Sequence, residues 1–268
     1  MFLIFFIGFF VGGAGSMLGI GGGVLLIPLL TSILGVPIKN AIGAGIISVI
    51  ATSSAAGAVY IGRGLVHSRL AMVLEVATTG GALAGGITAV FISPRLLAAF
   101  FGLVLIYVAF SMRKLPKEDR WVEHTGLLDT SYLDPRSGNT VEYGIRKLGK
   151  GMGASFLAGN VSGLLGIGGG IIKVPIMSLV MGVPLRASIA TSNFMIGVTA
   201  ATSAVIYYQH GYIDPAITVP AALGVLLGAQ VGSRIGGRLR SQKLKQAFQL
   251  LLFAFSIQMF VQALRGII

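Results

Sequence analysis

The hexad Leu18-Gly19-Ile20-Gly21-Gly22-Gly23 returns, letter for letter, as Leu165-Gly166-Ile167-Gly168-Gly169-Gly170. A proline follows five residues after each copy, Pro28 and Pro175, and then a Gly-Val-Pro, Gly35-Val36-Pro37 and Gly182-Val183-Pro184. At a constant offset of 147, residues 18–64 and 165–211 share 14 of 47 positions without a gap, so the hexad belongs to an internal duplication. Small-residue pairs correspond too: Gly81 and Gly85 match Gly228 and Gly232. Duplicated halves are a common plan of membrane transporters. The other reading is a duplication kept only for folding.

The chain is 54% apolar and 10% charged, against roughly 25% charged in a soluble domain. This composition is that of a polytopic, all-α integral membrane protein. The absence of cysteine excludes disulfides, Cys-ligated metal and thiol chemistry. Three scattered histidines, His67, His124 and His210, argue against a His-based metal site, and nothing points to a cofactor. A net charge of +12 would suggest nucleic acid in a soluble protein. Here the basic residues stand between apolar segments, so the expected partner is the lipid bilayer, with no nucleic acid. The start, MFLIFFIGFF, lacks a basic n-region and reads as a retained membrane helix.

The apolar segments run over about 1–34, 40–61, 70–92 and 95–112, then about 149–181, 187–208, 215–233 and 244–264. They define a first membrane repeat at 1–112, a linker at 113–148 and a second repeat at 149–268. A bilayer core takes ~20 helical residues. Segment 1–34 would reach about 50 Å at ~1.5 Å per residue, too long for one straight crossing. Glycine is the poorest ordinary helix former after proline, so the break falls at Gly21-Gly22-Gly23. A full helix over 1–19 precedes it, and a short return helix follows within 24–34, with Pro28 as one candidate start, since proline suits a first turn. Each repeat then adds three long transmembrane helices.

Charge separates two topologies. If each long segment crosses once, the basic residues divide eleven to eight between the two sides. If the chain turns back at the glycines, one side collects sixteen, including Arg63, Arg69, Arg186 and the eight of the linker, and the other keeps Lys39, Arg95 and Arg265. Sixteen to three fits the positive-inside rule. The expectation is two inverted repeats, a cytoplasmic linker and both termini outside, in the plasma (inner) membrane. The linker, with six of the eight acids, reads as a solvated connector with basic ends at the headgroups rather than a regulatory or partner-binding loop.

Irregular backbone at membrane depth survives where it is buried in protein or lines a wet cavity. A glycine turn that opens a helix presents N–H groups at a positive dipole end, a setting for an anion. Gly21, Gly22, Gly23, Gly168, Gly169 and Gly170 are therefore candidate substrate-binding residues; close helix packing of glycine is the alternative. Lys173, three residues past Gly170 where the first copy has Leu26, is an ionisable residue inside an apolar run. It would raise anion affinity, or else snorkel to the interface. Thr52, Ser53, Thr191, Ser192, Asn193 and Thr199 line the second segment of each half. Their hydroxyls and amides can replace water around an oxyanion, or else bond neighbouring helices. Glu75, with Ala222 as its counterpart, is a candidate proton-coupling carboxylate; the preferred reading pairs it with Arg69 or His67. Asp214, before Pro215, reads as a helix cap.

With these residues on the page, the chain resembles the TauE/SafE (TSUP) sulfite exporter family. LGIGGG-(x4)-P in both halves, Ala190-Thr191-Ser192 and the two GxxxG-like runs carry the resemblance. Two departures are Gly43-Ala44-Gly45 in place of Ala190-Thr191-Ser192, and the missing cysteines, which some family members that move thiosulfate can use. The resemblance implies a non-enzymatic secondary transporter of a small sulfur-containing anion, sulfite, sulfoacetate or a related organosulfonate, with export coupled to protons. A passive anion channel and a membrane scaffold or sensor acting through its central loop are the alternatives. The small anion is the expected partner, and a homodimer is compatible with the sequence.

Overall fold

The computed structural model describes residues 1–114, 128–134, 138–236 and 242–265. Helices α1 (Phe2–Leu18), α2 (Gly23–Leu34), α3 (Ile38–Gly62), α4 (Ser68–Phe91) and α5 (Pro94–Lys114) form the first half. Strands β1 (Thr130–Leu133) and β2 (Thr140–Tyr143) follow. The second half contains α6 (Leu148–Leu165), α7 (Gly170–Pro175) with a π-helical extension Ile176–Val180, α8 (Leu185–Gln209), α9 (Pro215–Gly236) and α10 (Gln242–Arg265). Among the described residues five helices, α3, α4, α5, α8 and α9, are long and apolar enough to cross a bilayer. The chain is a multi-pass, essentially all-helical membrane protein.

The long first segment of each half breaks where length demands. α1 ends at Gly19, φ 71°, whose N–H returns to the Gly15 carbonyl; α6 ends likewise at Gly166, φ 67°, on Ser162. Only glycine takes this left-handed cap without strain. The return helix spans Gly23–Leu34, as the 24–34 expectation has it, and begins at the glycine rather than at Pro28. Val24, Leu26 and Ile27 are fully buried, and a non-helical stretch there would leave peptide groups unpaired in an apolar interior. The proline is accommodated inside the helix. In the second copy the α-helical ladder gives way at Pro175 to a π turn, the wider spacing found at helix irregularities.

The halves pack through reciprocal contacts. Ser53 on α3 meets Asn193 and Gly197 on α8, while Gly43 meets Tyr212, so α3 and α8 run antiparallel. α5 and α10 also run antiparallel: Ser256 Oγ donates to the Gly102 carbonyl at 3.1 Å and Gln249 Nε2 to the Ala109 carbonyl at 3.2 Å. These two bonds occupy equivalent places in the two halves. α1 lies parallel to α9, with the Phe9 carbonyl against Gly228, and α4 lies parallel to α6, with the Phe156 carbonyl against Gly81. Small residues at these crossings let backbones approach where no hydrophobic drive exists between helices. α2 runs antiparallel to α3, with Gly22 at Thr52, Gly23 at Val49 and Ile27 at Gly45.

The linker departs from the expected solvated connector. β1 and β2 pair antiparallel, Thr130 opposite Tyr143 and Tyr132 opposite Val141. Period-2 alternation puts Tyr132, Val141 and Tyr143 on one face. Tyr132, Tyr143 and Ile145 are buried against the membrane helices, in a cluster with Leu74, Met177, Met181 and Met195. An apolar strand face of this kind is excluded from water as any core is. Glu118, Asp119 and Glu123 lie outside the described residues.

Candidate functional site

The two glycine turns meet. Gly21 and Gly168, φ 81° and 76°, both lie against Val49 and Ile196, which are equivalent residues near the middles of α3 and α8. A Cβ on Gly23 would fall 2.6 Å from the Gly166 carbonyl, and one on Gly170 would meet the equivalent Gly19 carbonyl. The hexads are thus buried halfway along the central helix pair, and packing and irregular backbone coincide there. Among the described residues, the N–H groups of Gly23 and Gly170, first in α2 and α7, meet no protein acceptor.

Beside the second turn stands a charged cluster. Lys173 donates to Glu75 Oε2 at 3.2 Å and to Thr199 Oγ1 at 2.8 Å. Thr199 Oγ1 lies 2.5 Å from Glu75 Oε1. Lys173 is 1% exposed, so it does not snorkel; the Glu75 side chain is 12% exposed. The expected pairing of Glu75 with Arg69 or His67 is therefore corrected. α7 carries Lys173 across to the face of α4 that bears Glu75, and in an apolar interior the nearest opposite charge wins. The pair is neutral overall while both members are ionised.

The remaining candidates separate into groups. Thr52 Oγ1 accepts the Gly22 N–H at 3.2 Å and donates to the Ser48 carbonyl at 2.9 Å, holding the first turn to α3. Ser192 Oγ donates to the Gly19 carbonyl at 2.9 Å, and Asn193 Nδ2 to the Ser16 carbonyl at 3.1 Å, tying α8 to the end of α1. Asn193 Oδ1 has no partner among the described residues. Ser53 Oγ donates to the Asn193 carbonyl at 2.6 Å. Thr191 is turned away from the glycines and accepts the His67 N–H at 3.0 Å. Asp214 caps α9 through the Ala216 N–H at 2.9 Å, as its place before Pro215 suggested.

Nothing in the spacing of Lys173 and Glu75, 98 residues apart, announces their union. The signal was present: both are ionisable residues in apolar segments, and the matching positions in the other half, Leu26 and Ala222, carry no charge. Two lone opposite charges in one membrane domain should find each other.

The fold is that of a multi-pass membrane protein with a charged cluster buried among its helices. The sequence pattern of the family described as "Sulfite exporter TauE/SafE" matches residues 4–259, and the chain belongs to that family. It is 26% identical over 216 residues to the "Probable membrane transporter protein YunE" of Bacillus subtilis (strain 168), covering 78% of each chain. It is 27% identical to a "Probable membrane transporter protein" of Xylella fastidiosa (strain 9a5c), over 81% of this chain and 78% of the relative. With the "Probable membrane transporter protein MJ0441" of Methanocaldococcus jannaschii it shares 26% identity, over 84% and 82%. No solved structure matches.

Proposed function

We propose that the protein is a secondary transporter that moves a small sulfur-containing anion, sulfite, sulfoacetate or a related organosulfonate, across the plasma membrane, with export coupled to protons. The observation that carries this reading is the buried Lys173–Glu75–Thr199 cluster beside the meeting point of the two turns. While Glu75 is ionised it holds Lys173. A proton on Glu75 weakens that hold and frees the ammonium for an anion, whose remaining oxygens take the Thr199 hydroxyl and turn amides. When the anion leaves, Glu75 gives up its proton and pairs with Lys173 again. By linkage, each ligand then favours the other, so each exported anion carries a proton out with it, driven by the anion's own gradient.

The membrane arrangement proposed is a pair of inverted repeats with the linker in the cytoplasm and both termini outside. The antiparallel runs of α3 against α8 and α5 against α10 support it. So does the gathering of Arg63, Arg186 and Arg234 at the hairpin end, where Arg63 donates to the Ser233 and Arg234 carbonyls and Arg186 pairs with Asp134. Lys39 stands at the other end with Val90 and Tyr212.

Counterflow of radiolabelled sulfite, sulfate and sulfoacetate in proteoliposomes, with and without a pH gradient, tests the function. Flux of a sulfur anion that answers to the gradient is expected; flux indifferent to it would indicate a passive channel. A C-terminal reporter active only in the cytoplasm tests the arrangement, and activity there would sink it.

A further inference from the structure

Lys39 and Arg186 occupy equivalent positions at the 147-residue offset, each the second residue of its helix, α3 and α8. Because those helices run antiparallel, the two cations stand at opposite ends of the molecule. Each reaches off its own helix to close its end. Arg186 Nη1 pairs with Asp134, the residue that follows β1. Lys39 Nζ donates to the Val90 carbonyl at the end of α4, 3.0 Å, and stands 3.5 Å from the Tyr212 hydroxyl and 5.2 Å from its ring centre.

Each clasp covers an aromatic layer. Under Arg186–Asp134 lie Tyr132 and Tyr143, packed edge to face, in one buried cluster with Leu74, Met177 and Met195. Those three are near neighbours in sequence of Glu75, Lys173 and Thr199, so the hairpin covers the charged cluster from one side. Under Lys39 lie Tyr212 and Tyr207, also edge to face, and the Tyr207 hydroxyl donates to the Leu164 carbonyl at 2.9 Å, directly before the second turn. Between the layers Lys173 is 1% exposed and the Glu75 side chain 12%. The clasps themselves are partly solvated, Arg186 and Asp134 being 22% and 17% exposed at the side chain. Partly exposed ion pairs hold weakly and open easily.

We propose that Lys39 and Arg186 are the two clasps of alternating access, that the β-hairpin is the plug held by Arg186, and that the structure is the state with both ends closed. The purpose of the device rests on the transporter reading above. Its test does not depend on the substrate. The chain contains no cysteine, so a single introduced one reports without background. Met177→Cys lies under the hairpin, and Ile42→Cys lies between Lys39 and the second turn, against Gly166. A membrane-impermeant maleimide is added to right-side-out and to inside-out vesicles.

Arg186→Ala, and independently Asp134→Ala, is expected to raise labelling at Met177→Cys about tenfold from the hairpin face alone, as a tenfold shift toward the open form would. Labelling at Ile42→Cys stays low. Lys39→Ala is expected to do the reverse, at Ile42→Cys and from the opposite face. The proposal is overturned if neither Arg186→Ala nor Asp134→Ala exposes Met177→Cys. It is overturned equally if either variant exposes both reporters, or if Lys39→Ala opens the hairpin face. One-sided opening in a protein that moves no sulfur anion would remove the substrate assignment and leave the clasps standing.

Discussion

The two glycine turns share six letters and press against each other, yet they do different things. In the second, Lys173 leaves the turn for Glu75 and Thr199. In the first, Leu26 and Ala222 stand at the two charged positions. Thr52, the counterpart of Thr199, has its hydroxyl engaged by the Gly22 N–H and the Ser48 carbonyl. Even the backbones differ: Gly22 is right-handed, φ −67°, and Gly169 left-handed, φ 70°. The first return helix is α-helical throughout, whereas the second passes into a π turn. Identical letters therefore set the frame, and the residues after them decide which turn carries charge. A buried lysine without its carboxylate, or the reverse, would be strongly disfavoured, and beside the first turn both positions are uncharged.

The sharpest way to break this contrast is to make the surroundings of the second turn resemble those of the first. Lys173→Met leaves Glu75 unpaired and should destabilise the protein by roughly 3–5 kcal/mol and abolish transport. Adding Glu75→Ala should return stability to within about 1 kcal/mol of the parent, with transport still absent. Thermal unfolding in detergent and counterflow read the two effects separately. Transport that survives in the double variant would take the charged pair out of the mechanism.

Where the turns are alike, substitutions should act alike. Gly23→Ala and Gly170→Ala each drive a methyl group into the carbonyl that ends the opposite helix. Both should lose about 1–3 kcal/mol of unfolding free energy, by similar amounts, as overpacking does. A large inequality would mean that the turns are not equivalent supports.

The threonines should part company. Thr199→Val is expected to lower transport about tenfold and stability by about 1–2 kcal/mol, because it strips a hydrogen bond from each member of the ion pair. Thr52→Val removes one helix–turn bond and should cost about 1 kcal/mol or less, with the transport rate within about twofold of the parent.

A smaller effect distinguishes the hairpin end. His67 joins the hairpin to α4: Nε2 lies 3.0 Å from the Leu128 carbonyl, and Nδ1 accepts the Leu70 N–H at 3.3 Å. Burial holds its imidazole below the ordinary value, against the opposing pull of the Leu128 carbonyl, while Arg69 adds to the lowering. Docking therefore favours the neutral ring. Its contribution is complete above about pH 6.5 and is lost as pH falls through the lower folded-state value. Amide exchange in β2 should accelerate on acidification, and His67→Gln should flatten that dependence. Asp214 holds the equivalent place in the other half.

The duplication, the breaks at the glycines and the three long helices after them were legible because they follow from length and apolar content. A segment of 34 residues cannot cross once, and glycine is where a helix yields. The return helix over 24–34 is legible too, but Pro28 does not mark its start, since local proline preference loses to the need to pair every buried peptide group. Glu75 was matched with its sequence neighbours Arg69 and His67, because spacing along one helix is visible in sequence and the approach of α7 to α4 is not. The hairpin reads as a solvated connector in sequence because polar residues surround its two buried tyrosines, and alternation over four residues is a weak signal beside six acids.

By itself, then, the sequence determined that the chain is a duplicated, membrane-embedded protein with two glycine breaks and two isolated charges. Covalent length, hydropathy and the special backbone of glycine suffice for that. Only the tertiary structure decided that the breaks meet at the middle of α3 and α8, that Lys173 pairs with Glu75 and Thr199, and that β1 and β2 bury their tyrosines against the helices. Those are contacts between residues far apart in the chain. A buried charge selects its partner by distance in space and by the absence of water, and packing fixes both.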